Sequence, residues 1–127
     1  MEVLTIEKAL EIVNNYRPKS RLQLYPAHAP RVCKHSIILH QIEVSQNILK
    51  EIKEDLVIAN KAETLINFHL VMSTDIADCD NLKFGLTSSN KMIQSLNQII
   101  SELESHIQYL EKDGINNISN IHDFSYN

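Results

Sequence analysis

The scarcity of glycine and proline most constrains the fold of this chain. The stretch from Arg31 to Asn81 contains neither residue, and all 127 residues include only two glycines and three prolines. All-β sandwiches and barrels need frequent turns that are rich in Gly, Pro and Asn-Gly pairs. Because this chain lacks such turns, the sequence predicts an all-α fold with long helices and few connections.

Size and composition predict one helical domain that spans 1–127. The chain is 43% hydrophobic and 22% charged, which is typical of a globular protein and not of a disordered one. Charged residues near the start interrupt the apolar run that a secretion signal needs, and no run is long enough for a membrane span. Cys33 and Cys79 are far apart and fit no disulfide framework. These features predict a cytoplasmic protein.

The first helix is predicted over 5–16. Thr5 is a good N-cap, and apolar residues follow it at helical spacing. Pro18 should end this helix, because the residue before a proline is pushed out of the α region. All three prolines lie within 17–30, which is therefore predicted to be a long extended loop.

The stretch 31–79 is open to two interpretations, one long helix or two helices. Its apolar residues form two stripes, the first ending at Ala59 and the second beginning at Ile58, with phases that differ by about one residue. Such a shift marks a turn or a skip in a continuous rod. We favour a turn near Val57–Asn60, which gives helices at 31–56 and 60–79.

The last helix is predicted over 88–113. A connection from Asn81 to Ser89, with Gly85 inside it, should precede this helix, and Gly114 stands where a terminating glycine is expected. The tail 115–127 carries an apolar residue at every third position, so we predict that part of it docks on the body. The fold class is therefore a small bundle of about four helices with a Pro-containing loop after the first.

The last helix carries the clearest apolar pattern of the chain. Isoleucine and leucine alternate at spacings of three and four, a pairing that favours two-stranded coiled coils. This predicted association face consists of Ile93, Leu96, Ile100, Leu103, Ile107 and Leu110. The face either packs within one bundle or joins two chains, and both hold if two chains build the bundle. We predict a homodimer.

The basic residues are concentrated in one segment, although the net charge is −4. No acidic residue lies between Glu11 and Glu43, and that interval holds five basic residues. Arg17, Lys19, Arg21, Arg31 and Lys34 are the predicted contacts to an anionic partner. The favoured interpretation is an acidic protein surface, in this chain or in a partner. Nucleic acid is the alternative, because basic side chains on a loop can bind phosphates.

Catalytic and metal-binding patterns are weak. His28, Cys33, His35 and His40 lie within thirteen residues, but their spacing fits no zinc motif. A metal or thiol enzyme centred on Cys33 is the least favoured alternative, and we predict no catalytic residue, metal or cofactor. The sequence thus predicts a non-catalytic, protein-binding or self-associating helical protein. Inhibitors, immunity proteins, antitoxins and chaperone-like accessory factors are often of this build.

Overall fold

The computed structural model describes residues 3–24 and 34–114, and it is all-helical in those ranges, as predicted. The side chains of 21, 22, 34–36, 113 and 114 lie outside this description. The elements, in chain order, are α1 (Ile6–Asn15), α2 (Arg21–Leu24), α3 (Lys34–Met72) and α4 (Ile76–Tyr109), followed by a π-helical turn at Leu110–Gly114.

Helix α1 begins where the sequence predicts. The Thr5 hydroxyl accepts a hydrogen bond from the backbone N–H of Lys8 at 3.2 Å, which satisfies one of the free donors at the helix start. Ala9 and Val13 form its buried face. The helix ends before Tyr16, two residues ahead of Pro18.

The predicted turn at Val57–Asn60 is wrong, because α3 runs through this region without a break. The buried residues of α3 keep one phase along its length: Ser45, Ile52, Ala59 and Ile66 recur every seven residues. The second stripe seen in the sequence is divided between core and surface, because Ala62 is buried whereas Ile58 and Met72 are exposed. The shift in phase between the two stripes therefore does not mark a turn.

The predicted connection from Asn81 to Ser89 is also wrong, and the predicted helices 60–79 and 88–113 have different bounds in the structure. The chain instead reverses at 73–75, and α4 has already begun at Ile76. Gly85 lies within α4, where its missing side chain makes room for α1. A Cβ atom there would collide with Leu10 Cδ2 and would lie 3.5 Å from Ile66 Cδ1.

The predicted bundle of about four helices is not confirmed. The described residues form three helices of ten or more residues and the single turn α2, which lies inside the predicted loop 17–30. Residues 25–30 of that loop, and the tail 115–127, lie outside the described residues. The predictions of an extended loop and of a docked tail are therefore not confirmed.

The chain divides into two compact units. The first contains Met1–Pro18 and Ile52–Gln98, and the second contains Lys19–Glu51 and Ile99–Asn127. Small residues occupy much of the core of the first unit: Ala9, Ala59, Ala62, Gly85 and Ser89 are buried. Larger residues dominate the buried set of the second unit: Leu24, Ser45, Ile99, Leu103, Ile107 and Leu110.

The buried polar groups of the described residues are satisfied. The Ser89 hydroxyl donates a hydrogen bond to the carbonyl oxygen of Leu86 at 2.8 Å, so it can lie in the core of the first unit at little cost. Within 3–24 and 34–114, no buried side-chain nitrogen or oxygen lacks a hydrogen-bond partner.

Candidate binding surfaces

An apolar row on α3 faces solvent in the first unit. Ile58, Leu65, Phe68 and Met72, together with Lys61, repeat at spacings of three and four, so they share one side of the helix. We call these five residues the outer stripe. Phe68 is 61% exposed and Met72 is 67% exposed, whereas Leu65 is half-buried.

Two valines widen the outer stripe. Val57 precedes Ile58 and Val71 precedes Met72, and both valines are exposed, Val71 to 80%. Helix α3 therefore has apolar residues on two sides in this unit, and the packing buries Ile52, Ala59, Ala62 and Ile66 but leaves the valines exposed. Single exposed apolar residues are normal on protein surfaces, whereas a contiguous apolar patch marks an interaction site.

An open groove of about 510 Å³ lies along the outer stripe. Its lining residues are Leu4, Asn60, Lys61, Thr64, Leu65 and Phe68. The Thr64 hydroxyl donates to the carbonyl oxygen of Asn60 at 3.0 Å, so it is already satisfied. Among the described residues that line the groove, Lys61 is the only ionisable one.

A second pocket, of about 420 Å³, lies between the start of α1 and the turn at 73–75. Glu7, His69 and Asp78 are among the residues that line it. At the turn itself, Asp75 caps α4, because its Oδ1 accepts a hydrogen bond from the backbone N–H of Ala77 at 3.0 Å. The side chain of Asp75 thus has a structural role in starting α4.

A third pocket, of about 260 Å³, lies between the end of α1 and the middle of α4; we call it the α1–α4 pocket. Two basic residues line it, Arg17 and Lys91, together with the hydroxyls of Tyr16 and Ser95. These two hydroxyl oxygens share a hydrogen bond of 3.3 Å. Sequence reasoning singled out Arg17 but missed Lys91, because only the packing of α1 on α4 brings the two residues to one pocket.

Most residues of the predicted association face are buried by contacts within the chain itself. Leu96, Leu103, Ile107 and Leu110 are buried, whereas Ile93 and Ile100 are half-buried. The buried row of α4 also includes Met92 and Ile99, one residue before each of those half-buried isoleucines. A role of this face in self-association stays a prediction.

The predicted anionic contacts are only partly described. Arg17 is exposed and Lys19 is half-buried. Arg21 begins α2 and Lys34 begins α3, but their side chains are outside the description, as is Arg31 altogether. The structure therefore places Arg17 at a pocket and does not show whether the five residues form one surface.

The proposed metal or thiol site also falls mostly outside the described residues. His28 and Cys33 lie in the undescribed stretch 25–33, and His35 is in α3 without a described side chain. Among the residues that the structure does describe, no three His, Cys, Asp or Glu side chains are grouped to hold a metal ion.

The surroundings of His106 change the acidity of its imidazole. It lies half-buried on α4 in the second unit, and burial lowers its pKa below the usual 6.5 because the charged imidazolium loses water contacts.

None of the helices in the described ranges is both long enough and apolar enough to cross a membrane.

Comparisons with known proteins identify no relative. No protein-family model, curated protein or solved structure matches this chain.

Proposed function

We propose that this chain is a non-catalytic binding protein that docks an amphipathic helix of a partner protein on its outer stripe. The observation that carries the proposal is the exposed apolar row on α3. Burial of a large apolar side chain is worth about 1.5–3 kcal/mol. Phe68 and Met72 remain exposed in the single chain, so a partner that covers them gains that free energy.

The spacing of the outer stripe favours a helix as the occupant. Positions 58, 61, 65, 68 and 72 follow the 3-4-3-4 spacing of a coiled-coil seam, in which side chains of one helix fit between those of another. The groove beside the stripe is open and shallow, which suits a helix that lies across it better than an enclosed small molecule.

Lys61 suggests the charge of the partner. It lies among apolar residues of the seam, and docking would remove water from its ammonium group. A buried charge is costly unless it is paired. A partner helix with a carboxylate opposite Lys61 satisfies that charge, and a partner with a basic residue there is repelled.

Three further proposals follow from the sequence. Self-association through Ile93 and Ile100 is supported by their partial exposure on α4. Nucleic-acid binding by the segment 17–35 is the runner-up function, and the exposed guanidinium of Arg17 supports it. A cytoplasmic location is the third proposal, supported by two cysteines, Cys33 and Cys79, that fit no disulfide framework.

The test compares two exposed phenylalanines of the first unit. Phe68 lies on the outer stripe, and Phe84, which is 65% exposed on α4, does not line the groove. A photo-crosslinking amino acid is placed at either position in cells that naturally make the protein. We expect a discrete crosslinked protein from position 68 and none from position 84.

The identified partner is then purified and its affinity is measured with three forms of the chain. Phe68→Ser should weaken binding by about 10-fold or more, since it removes a buried aromatic contact, whereas Phe84→Ser should bind like the wild type. Equal crosslinking from both positions, or equal affinities of the two variants, contradicts the proposal. A crosslink of position 68 to a second copy of this chain shows self-association in place of a separate partner.

A further inference from the structure

The α1–α4 pocket has the composition of an anion site. The nine described residues that line it include two cations, Arg17 and Lys91, and no Asp or Glu. Neither cation forms an ion pair with another residue of the described ranges, in contrast to Lys8, which pairs with Glu11 at 3.5 Å. The positive charge of the pocket is therefore not neutralised by the described part of the chain.

Arg17 and Lys91 contribute differently. One guanidinium N–H of Arg17, on Nη1, donates to the carbonyl oxygen of Tyr16 at 2.9 Å. That contact offsets the partial negative charge at the C-terminal end of α1, which would otherwise disfavour an anion. A guanidinium has five N–H donors, so four remain available, and Lys91 adds three ammonium donors from α4.

The hydroxyls of the pocket supply a further donor. Tyr16 and Ser95 carry two hydroxyl protons, and their mutual hydrogen bond uses one of them. The other proton is free to point at an oxygen of a ligand. Val13 and Met92, both buried, form an apolar wall, and an apolar wall strengthens charge interactions because it excludes water.

The size of the pocket indicates a small ligand. Its volume of about 260 Å³ is below the ~300–1,000 Å³ that is usual for drug-sized ligands. Phosphate oxygens accept several charge-assisted hydrogen bonds at once, which matches a pocket lined by two cations and a hydroxyl pair.

We propose that the α1–α4 pocket binds the phosphate group of a small phosphomonoester. Lys91 and Arg17 hold the phosphate oxygens, the Tyr16–Ser95 hydroxyl pair donates a third hydrogen bond, and the apolar wall contacts the group that carries the phosphate. This site does not share any lining residue with the groove of the outer stripe. The two proposals can therefore fail separately.

The experiment titrates the full chain with inorganic phosphate, O-phosphoserine and adenosine monophosphate, and follows binding by calorimetry and by backbone amide NMR shifts. We expect saturable binding of at least one ester, with the largest shifts at 14–17 and 88–95. Inorganic phosphate alone shows how much of the affinity comes from the phosphate group, and the two esters distinguish a phosphorylated side chain from a nucleotide.

Three variants locate the site. Lys91→Gln and Arg17→Gln should each weaken ester binding by about 10- to 100-fold, because each removes hydrogen bonds between opposite charges. Lys83→Gln is the matched control, since Lys83 is an exposed lysine of α4 that does not line the pocket. All three residues are exposed, so circular dichroism should show unchanged helix content.

Four outcomes overturn the proposal. These are no saturable ester binding by the wild type, equal weakening by Lys91→Gln and Lys83→Gln, binding of inorganic phosphate without the esters, and binding of a single-stranded oligonucleotide in the absence of any monoester binding. The last result assigns the positive charge to nucleic acid.

Discussion

Replacement of Gly85 by alanine tests the contact between α1 and α4. Alanine is better than glycine in a helix interior by about 0.8–1.0 kcal/mol, so Gly85→Ala on an isolated helix should be stabilising. In the structure the new methyl group collides with Leu10 Cδ2. Overpacking costs about 1–3 kcal/mol. Leu10 is half-buried and its side chain can move, so we take about 2 kcal/mol as the cost of overpacking. The free energy of unfolding should then fall by about 1 kcal/mol.

A double-mutant cycle separates these two effects. In a Leu10→Ala background the colliding atom is absent, so Gly85→Ala should stabilise the chain by about 1 kcal/mol. The coupling free energy between the two positions is then about 2 kcal/mol, within the range seen for residues in contact. Urea unfolding of the four proteins, followed by circular dichroism, gives each free energy of unfolding.

Two results would refute this reasoning. Equal stabilisation by Gly85→Ala in both backgrounds would show that α1 does not pack against Gly85. Equal destabilisation in both backgrounds would show that the new methyl group collides with an atom other than those of Leu10. Ile66 Cδ1 is not expected to be that atom, because 3.5 Å is an ordinary contact distance.

Two further predictions concern the start of α1 and the protonation of His106. Thr5→Ala should lower the free energy of unfolding by about 1 kcal/mol, because it removes the acceptor for the backbone N–H of Lys8. Thr5→Asp should keep the stability of the wild type, because a carboxylate can accept the same hydrogen bond. The urea unfolding midpoints of both variants test this prediction. The second prediction is that the free energy of unfolding decreases as the pH falls below 6.5. Burial lowers the pKa of His106 in the folded chain, so the unfolded chain binds more protons than the folded one in this range. His106→Gln should flatten this part of the pH profile, and a profile of the variant that runs parallel to that of the wild type would contradict the assignment.

The fold class and the first helix could be predicted from the sequence because they depend on local signals. The lack of turn residues excludes an all-β fold, and the hydroxyl of Thr5 marks a helix start wherever the helix later packs. The bounds of the long helices could not be predicted in this way. In the sequence a glycine such as Gly85 indicates a turn. In the structure it lies within α4 and leaves room for the side chain of Leu10 on α1, which is distant in sequence.

The candidate sites, like the helices, could be predicted only in part from the sequence. Ile58 and Met72 stood out in the sequence as apolar residues at helical spacing, which usually indicates a core face. Only the packing shows that Ala59 and Ile66 fill the core and leave these two residues outside. Arg17 was recognisable as one of a basic cluster, but Lys91 is an isolated lysine in the sequence and gains significance only from its position across the pocket.

The position of α1 in the chain has a consequence for the order of folding. Helices α3 and α4 are joined by three residues, so contacts near that turn close short loops and form at low entropic cost. The hydrogen bond between Tyr16 and Ser95, by contrast, joins residues 79 positions apart. Contacts of such long range form late in folding, and the short α1 has few buried residues to retain it. Leu4, just before α1, lines the groove of the outer stripe, and Tyr16 and Arg17, just after α1, line the α1–α4 pocket. Detachment of this one helix therefore dismantles both candidate sites at once, and a ligand that holds α1 in place at either site favours the other.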